Sequence, residues 1–451
     1  MIKKLLIANR GEIACRAIRA CRELGIISVV VCSDIDLDSL AAQLADESYC
    51  IGSAQAKKSY LDIASIIATA KAAEADAIYP GYGFLAENAE FAEACLNEGL
   101  IFVGPSPEAI RDMGDKAVAR QTMKKAGVLI IPGTEDVIED IGQASEAAQA
   151  IGYPVLIKAS AGGGGKGMRV VDRPEDLERE IRQAMQEAER SFGNSGVYLE
   201  KYLTSARHVE IQIMADQYGE VVHLGERDCS TQRRHQKLLE ESPSPVVDEN
   251  LRQQMGKAAV LAAKAVNYAG AGTVEFIVDR EKNFYFMEMN TRIQVEHPVT
   301  EAVTDTDLVK AQLLVAGGSH LPWRQQDIRV KGWAIECRIN AEDYRHGFIP
   351  CPGQINIYRP PKLENVRIDS AVFENCNITP FYDSMIAKVI AWGASREEAI
   401  KRMLMALEDF KIEGVQTTIG LHEKVLSTEA FRQGKIDTSY LENHLEEILK
   451  A

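Results

Sequence analysis

The chain has 451 residues, 46% hydrophobic and 26% charged, which at roughly 150 residues per domain suits about three domains, each with its own core. With 51 lysines and arginines against 66 aspartates and glutamates, a net charge of −15 at pH 7, it repels polyanions, which excludes nucleic acid as a partner. No tract is long enough to cross a bilayer, and the nine cysteines are odd in number, scattered and without a C-x-x-C pair, so the expectation is reduced thiols in the cytoplasm, not disulfides or zinc.

Met1 to Ala8 starts like a signal peptide but stops at Asn9-Arg10-Gly11, and so reads as a first strand. Apolar runs at Lys4 to Ala8, Ser28 to Cys32 and Asp76 to Tyr79 flank helical stretches over Glu12–Leu24 and Ser59–Ala73, a parallel α/β pattern. The first strand leads into Asn9-Arg10-Gly11-Glu12-Ile13-Ala14 and not G-x-G-x-x-G, which disfavours a nicotinamide enzyme.

Breaker residues follow at Gly104-Pro105-Ser106-Pro107 and, after a helix ending near Gly127, at Ile131-Pro132-Gly133-Thr134; these put a boundary near residue 114 and a hinge near 131. From Tyr153 the chain is strand-rich, at Val155 to Ala159, Met168 to Val171, Tyr198 to Tyr202, Val209 to Ala215, Glu220 to Leu224, Thr273 to Asp279 and Phe284 to Asn290, a mostly antiparallel module. A third segment from about Gly332 has strands at Trp333–Ile339 and Met385–Ala391, then helices around Arg396–Phe410 and Thr438–Leu449. The expected fold class is α/β and α+β, with a parallel N-terminal domain (1–114), a central domain (115–330, lid about 131–203) and a mixed C-terminal domain (331–451).

Gly162-Gly163-Gly164-Gly165-Lys166-Gly167 lies between two strands, and without Cβ atoms its backbone N–H groups can converge on phosphate oxygens; Lys158 adds a cation upstream. A flexible turn is the bland alternative for a bare glycine run, and the flanking strands and lysines favour a nucleotide. If Asp279 pairs with Phe284 in a hairpin, Glu275 falls opposite Glu288, on the face that Glu288 shares with Asn290. Two carboxylates facing each other with phosphate nearby suit magnesium.

The polar run from Asn290 to Pro298 is costly to bury without partners and is better explained as a site for a small charged substrate. There Arg292 can grip an anion through paired N–H bonds while Glu296 accepts its proton, an arrangement suited to bicarbonate. Glu226 to Lys237 clusters cations in an acidic chain, for phosphate or as a solvated loop; Cys229 within it reads as structural. Glu336, Arg338 and Asn340 alternate along one strand face, which lets Arg338 enter the same cleft.

These motifs together resemble biotin carboxylase, an ATP-grasp ligase family, along essentially the whole chain. The runs that carry the resemblance are Ile7 to Ala14, Tyr79 to Leu85, Met113-Gly114-Asp115-Lys116, Glu226 to Lys237 and Glu288 to Glu301. The resemblance implies MgATP as cofactor, with Mn2+ as a substitute, and bicarbonate and biotin as substrates. It implies that Lys116, Lys158, Gly163, Gly164, Gly165, Lys166 and Gly167 hold phosphates, that Glu200 belongs to the nucleotide site, that backbone groups of Lys201 and Leu203 meet adenine, that His208 and Gln232 contact ribose, and that His235 contacts the phosphate tail. Glu275, Glu288 and Asn290 would bind the metal. Glu296 would deprotonate bicarbonate held by Lys237, Arg292 and the Val295 amide, and Arg338 would stabilise the biotin anion near Tyr82 and Asp383. Arg19, Glu23 and Arg367 match dimer-interface positions, whereas Glu364 replaces a frequent aromatic, so a homodimer is expected. No Met-Lys-Met biotinylation motif occurs, so the expected partners are a separate biotin carboxyl carrier protein and a carboxyltransferase subunit, as in acetyl-CoA or pyruvate carboxylase and in fatty acid biosynthesis. The competing readings are another ATP-grasp carboxylate ligase and a nucleotide-binding subunit without turnover.

Overall fold

Short β-branched runs alternating with helices give, in the computed structural model of the chain, a five-stranded parallel sheet at the N-terminus. The structure describes residues 1–134, 137–138, 140–159, 168–192 and 195–450. The strands are β1 (Lys4–Ile7), β2 (Ile27–Ser33), β3 (Glu47–Gly52), β4 (Ala77–Tyr79) and β5 (Ile101–Phe102), in the order β3-β2-β1-β4-β5. Helix α1 (Gly11–Leu24) buries Ile13, Ala14, Ala17 and Ile18 on one face of this sheet. It ends at Gly25, whose φ of 69° is the left-handed conformation in which the N–H groups of the cap reach back to the last turn. The helix expected from Ser59 begins only at Ile63, because Asp62 accepts the Ser65 amide and so fixes the start one turn later.

The segment expected to form a lid carries a separate three-stranded antiparallel sheet, β6 (Val155–Ala159), β7 (Arg169–Val171) and β8 (Val197–Lys201), in the order β7-β6-β8. The helices Ile141–Ile151 and Leu177–Phe192 cover it through Ala144, Ala148, Ile181 and Ala184. At its entry Gly133 bridges to Glu200, and a Cβ on Gly133 would stand 2.4 Å from the Leu199 carbonyl oxygen, so only glycine permits this approach.

The third sheet has eight strands and carries the deep wall of a cleft. Its strands β9 (Arg207–Ala215), β10 (Val221–Arg233), β11 (Gln236–Ser242), β12 (Gly270–Val278), β13 (Phe284–Asn290) and β14 (Trp333–Asn340) are joined by Met385–Gly393 and Val366–Ser370. The order is β13-β12-β9-β10-β11-β14, then Met385–Gly393 and Val366–Ser370. One sheet therefore runs across residue 330 through the pairing of β11 with β14. Period-two alternation sorts its side chains: Val209, Ile211, Ile213, Val274 and Phe276 pack on the helix Glu249–Ala265, while His208, Glu210, Gln212, Thr273 and Glu275 lie on the other face.

Two expectations are corrected here. The strand expected to end at Leu224 continues to Arg233, and a further strand, β11, returns from it through Arg234–His235. Both turn residues have positive φ, 48° and 63°, as in two-residue hairpin turns, which normally take Asn-Gly. The β12–β13 register also differs: Val278, not Asp279, pairs with Phe284, and a bulge after Glu275 restores the Glu275–Glu288 pair.

Charged residues extend β10 because a buried ion network receives them. Arg227 is 0% exposed. It donates to Glu210 Oε1 at 2.5 Å, Gln212 Oε1 at 2.6 Å, Thr300 Oγ1 at 2.9 Å, Thr273 Oγ1 at 3.1 Å and Gln294 Oε1 at 2.6 Å. It thereby ties β9, β10 and β12 to the loop after β13. On β14, the Arg338 carbonyl is fixed by Thr418 Oγ1 at 3.0 Å and by His422 Nε2 at 2.7 Å. Burial pushes the His422 pKa down from 6.5 to about 4, so the ring is neutral and donates this bond.

Replacing Arg227 by Met is expected to cost about 3–5 kcal/mol, as for breaking a buried pair, and adding Glu210→Leu should recover part of the loss. Urea denaturation of the single and double variants measures both, and a cost below about 1 kcal/mol for the single variant would deny Arg227 its role. The depressed His422 contributes stability that is complete above its unfolded pKa of 6.5 and is lost as pH falls towards 4. This amounts to about 3 kcal/mol over that window. In His422→Gln the fall in unfolding free energy between pH 6.5 and 4, from urea denaturation, should be shallower by that amount.

Candidate active site

A cleft of about 930 Å³ opens between the parallel sheet, the lid sheet and the polar face of the eight-stranded sheet. Of the residues singled out in the sequence, Lys116, Lys158, Glu200, Lys201, Leu203, His208, Gln232, His235, Lys237, Glu275, Glu288, Asn290, Arg292, Val295, Glu296, Arg338, Tyr82 and Asp383 all line it. Gly163, Gly164, Gly165, Lys166 and Gly167 lie outside the described residues.

At the centre Lys237 Nζ donates to three carboxylates, Glu210 Oε2 at 2.6 Å, Glu296 Oε1 at 2.7 Å and Glu275 Oε1 at 3.0 Å. β11 delivers the lysine, β9 and β12 deliver Glu210 and Glu275, and the loop after β13 delivers Glu296. The other Glu296 oxygen accepts Arg338 Nη2 at 2.8 Å, and Arg338 Nε donates to Glu240 Oε1 at 2.6 Å. Burial alone would raise the Glu296 pKa, but Lys237, Arg338 and Arg227 together hold it well below the carboxylate range. Glu240 behaves oppositely: burial dominates and lifts it to about 7 despite Arg338.

Along the hairpin, Glu275 and Glu288 face each other across the ladder, and Asn290 Nδ2 donates to Glu275 Oε1 at 2.9 Å. His208 Nε2 stands 2.8 Å from Glu275 Oε2 as an ion contact that is not aligned for a hydrogen bond. Burial and then the Glu275 charge raise the Glu288 pKa, Lys116 acting against them, so Glu288 is short of positive charge although Lys237 and His208 supply it to Glu275. That deficit, with carboxylate and amide donors on one face, fits a divalent cation that keeps its remaining positions for phosphate oxygens. Among the described residues His208, Glu210 and Glu275 also converge, as do Glu210, Cys229 and Glu296. Lys237 bonds to carboxylates of both groups, and burial holds the Cys229 thiol well above its usual pKa, so Cys229 stays structural.

Arg292 is held by Glu87, its Nε donating to Oε2 at 2.8 Å while the Thr291 amide reaches Oε1 at 3.1 Å. Glu200 on β8 pairs with Lys158 on β6 and with Arg120 on the helix Lys116–Lys125, and Lys201 Nζ donates to the Gly152 and Tyr153 carbonyls at 2.8 and 3.0 Å. Gln232 is buried, whereas His235 and Asp383 are exposed at the rim. Asp383 Oδ1 accepts the Met385 amide at 2.8 Å, and the Tyr82 hydroxyl bonds to Glu12. Sequence reasoning missed Glu87, Glu210, Glu240 and Glu12. The first three are acidic partners of cations already singled out, for which the local signal was only an unpaired cation, and Glu12 accepts the hydroxyl of Tyr82.

Outside the cleft, the three expected interface residues lie together. Arg19 reaches Asp369 at 3.2 Å, Arg367 donates to Asp369 at 2.6 Å and to Glu301 at 2.6 Å, and Glu23 pairs with Lys310 at 2.5 Å. Arg19 and Glu23 keep 45% and 57% of their side chains exposed, enough for each to meet another protein surface.

Three family models match in succession: biotin carboxylase, N-terminal domain, over residues 1–110; carbamoyl-phosphate synthase L chain, ATP binding domain, over 115–324; and biotin carboxylase C-terminal domain over 336–443. Biotin carboxylase 1 of Bacillus subtilis is 59% identical, over 98% of this chain and 99% of its own. The crystal structure of the biotin carboxylase domain dimer of Hydrogenobacter thermophilus 2-oxoglutarate carboxylase, with MgADP, ADP and bicarbonate, matches at TM-score 0.94 and 48% identity, over 99% of each chain. That of Campylobacter jejuni biotin carboxylase in a β,γ-ATP complex matches at TM-score 0.94 and 48% identity, over 98% of this chain and 99% of that one. Matched from end to end in sequence and in fold, the chain belongs to the biotin carboxylase family.

Proposed function

We propose that the chain is a ligase that carboxylates biotin, carried on a separate protein, at the expense of ATP and bicarbonate. The observation that carries this reading is Glu296, a buried carboxylate kept ionised by two cations, Lys237 and Arg338, that are free to exchange it for a substrate anion. A second reading, a different ATP-grasp carboxylate ligase, has no comparable support, since the end-to-end relatives are biotin carboxylases.

Bicarbonate fits between Arg292, Lys237 and the Val295 amide. When it draws Lys237 away, Glu296 loses the charge that most stabilises its ionised form and its proton affinity rises towards that of a general base. The deprotonated oxygen attacks the γ-phosphorus of ATP, the β–γ bridge bond breaks, ADP leaves, and carboxyphosphate forms. Lys116 and Lys158 lie in the cleft to hold the phosphates, with Glu200, Lys201 and Leu203 beside the base and His208, Gln232 and His235 towards ribose and tail. Glu275 and Glu288, with Asn290, would hold Mg2+, which when bound supplies positive charge to the phosphate oxygens. Carboxyphosphate breaks down to CO2 and phosphate, the phosphate takes the ureido N–H proton of biotin, and the nitrogen captures CO2. Arg338 steadies that anion beside Tyr82 and Asp383. Closure of the lid, about residues 131–203, keeps water from carboxyphosphate.

The domain reading that goes with this is 1–114, 115–330 and 331–451, close to the spans of the matched models. A homodimer through the Arg19, Glu23 and Arg367 surface is supported by the dimer of the 2-oxoglutarate carboxylase domain. A carrier protein and a carboxyltransferase complete the reaction, and acetyl-CoA, pyruvate and 2-oxoglutarate remain the candidate acceptors. The nine cysteines are free, which supports the cytoplasm as the compartment, and no helix among the described residues is long and apolar enough to cross a membrane.

ADP release with MgATP and bicarbonate should rise on adding free biotin, and Glu296→Ala should lower the biotin-stimulated rate by about a hundredfold or more. A rate indifferent to bicarbonate and biotin would sink the proposal. In the same assay Glu288→Gln should raise the magnesium concentration for half-maximal rate by at least the roughly tenfold that losing an outer partner of a metal costs. An unchanged magnesium requirement would move the metal elsewhere.

A further inference from the structure

The loop that presents Val295 and Glu296 rests on a buried ion pair that none of the steps above uses. Lys388, on the strand Met385–Gly393, is 0% exposed. Its Nζ donates to the Val295 carbonyl at 2.8 Å and lies 2.9 Å from Glu12 Oε1 at the start of α1. The same Glu12 oxygen accepts the Tyr82 hydroxyl from the cleft wall. A lysine and a glutamate from opposite ends of the chain thus meet behind the site, one touching the anion loop and the other touching Tyr82.

The Val295 carbonyl and the Glu296 N–H belong to one planar peptide. Anchoring that carbonyl therefore sets where the Glu296 side chain departs and restricts rotation of the Val295 amide just before it. On the other side of the loop the Gln294 carbonyl is 2.8 Å from His297 Nδ1, and the Gln294 side chain is gripped by Arg227 and bonds Glu275. Lys388 supplies the opposing hold. Glu336, opposite Ile390 on the same ladder, is buried with no hydrogen-bond partner on either oxygen among the described residues, and burial pushes its pKa well up while Lys388 opposes the rise. The carboxylates that act on the lysine are Glu12, in direct contact, then Glu336, and Asp369, which pairs in register with it. An apolar side chain of similar volume would fill the space without desolvating two charges, so packing does not explain a lysine here.

We infer that Lys388 and Glu12 are positioning residues that set the bicarbonate-binding peptide of Val295 and Glu296, an inference that rests on the function proposed above. Lys388 does not line the cleft, and Glu12 reaches the cleft wall beside Tyr82, whose hydroxyl it accepts. Their effect passes through one peptide plane and is specific to the anion.

The test is steady-state ADP release by the full chain carrying Lys388→Met or Glu12→Gln, with bicarbonate and ATP varied separately. The expected result is a KM for bicarbonate about tenfold higher with the KM for ATP moved less than about twofold, as for a displaced binding group. A bicarbonate KM that does not change, or that rises in parallel with the ATP KM, overturns the inference. Should Lys388→Met not fold, Glu12→Gln decides alone, because it keeps the side-chain shape and removes only the charge. If the unmodified chain itself shows no bicarbonate dependence, the proposed function falls and this inference with it, whereas an active unmodified chain with unaltered variants defeats the inference only.

Discussion

A single guanidinium, that of Arg227, stands where three strands and the substrate loop meet, and much of the site depends on it. With no solvent available, each of its N–H groups must end on a protein oxygen, and those oxygens come from Glu210, Gln212, Thr273, Gln294 and Thr300. That requirement fixes β9 against β12 and draws the Gln294 side chain inward, which places Val295 and Glu296 at the cleft. The neighbouring Lys237 uses the other oxygen of Glu210. The structural cation and the site cation therefore share one carboxylate, and a change at either is felt by the other.

Around this hub the charges are balanced in layers. Lys237 is matched by three carboxylates and Arg338 by two, so the cleft contains more negative side chains than positive ones near its floor. Such a site takes anionic substrates more favourably when cations accompany them. The raised Glu288 and the depressed Glu296 belong to the same arrangement: one carboxylate lacks a partner and the other has several, and their environments push the two pKa values apart.

Much of this was legible from the residues alone where the pattern is local. The alternation in β12 and β13 placed Glu275 opposite Glu288 even though the turn register was off by one, because the bulge cancels the error. The end of β10 and the whole of β11 were not legible. Thr231 to Lys237 is polar, and its turn is Arg234–His235 in place of the usual Asn-Gly, so neither hydrophobicity nor turn chemistry marks a strand pair. Partners distant in sequence, such as Glu87 for Arg292 and Glu12 for Lys388, leave no local trace. The family resemblance named the chemistry that these contacts serve, but not the contacts.

The pairing of β11 with β14 has a consequence for how such chains can be rearranged. The matched models divide the protein into consecutive modules, yet the hydrogen-bond ladder passes through the junction between the second and the third without a break. Cutting there would leave two raw strand edges, each a template for pairing with other copies. In this fold the unit of inheritance and the unit of folding do not coincide: recombination between relatives can exchange the segments only if each new pair of edges still matches, while the lid, with a sheet and core of its own, is the piece able to vary alone.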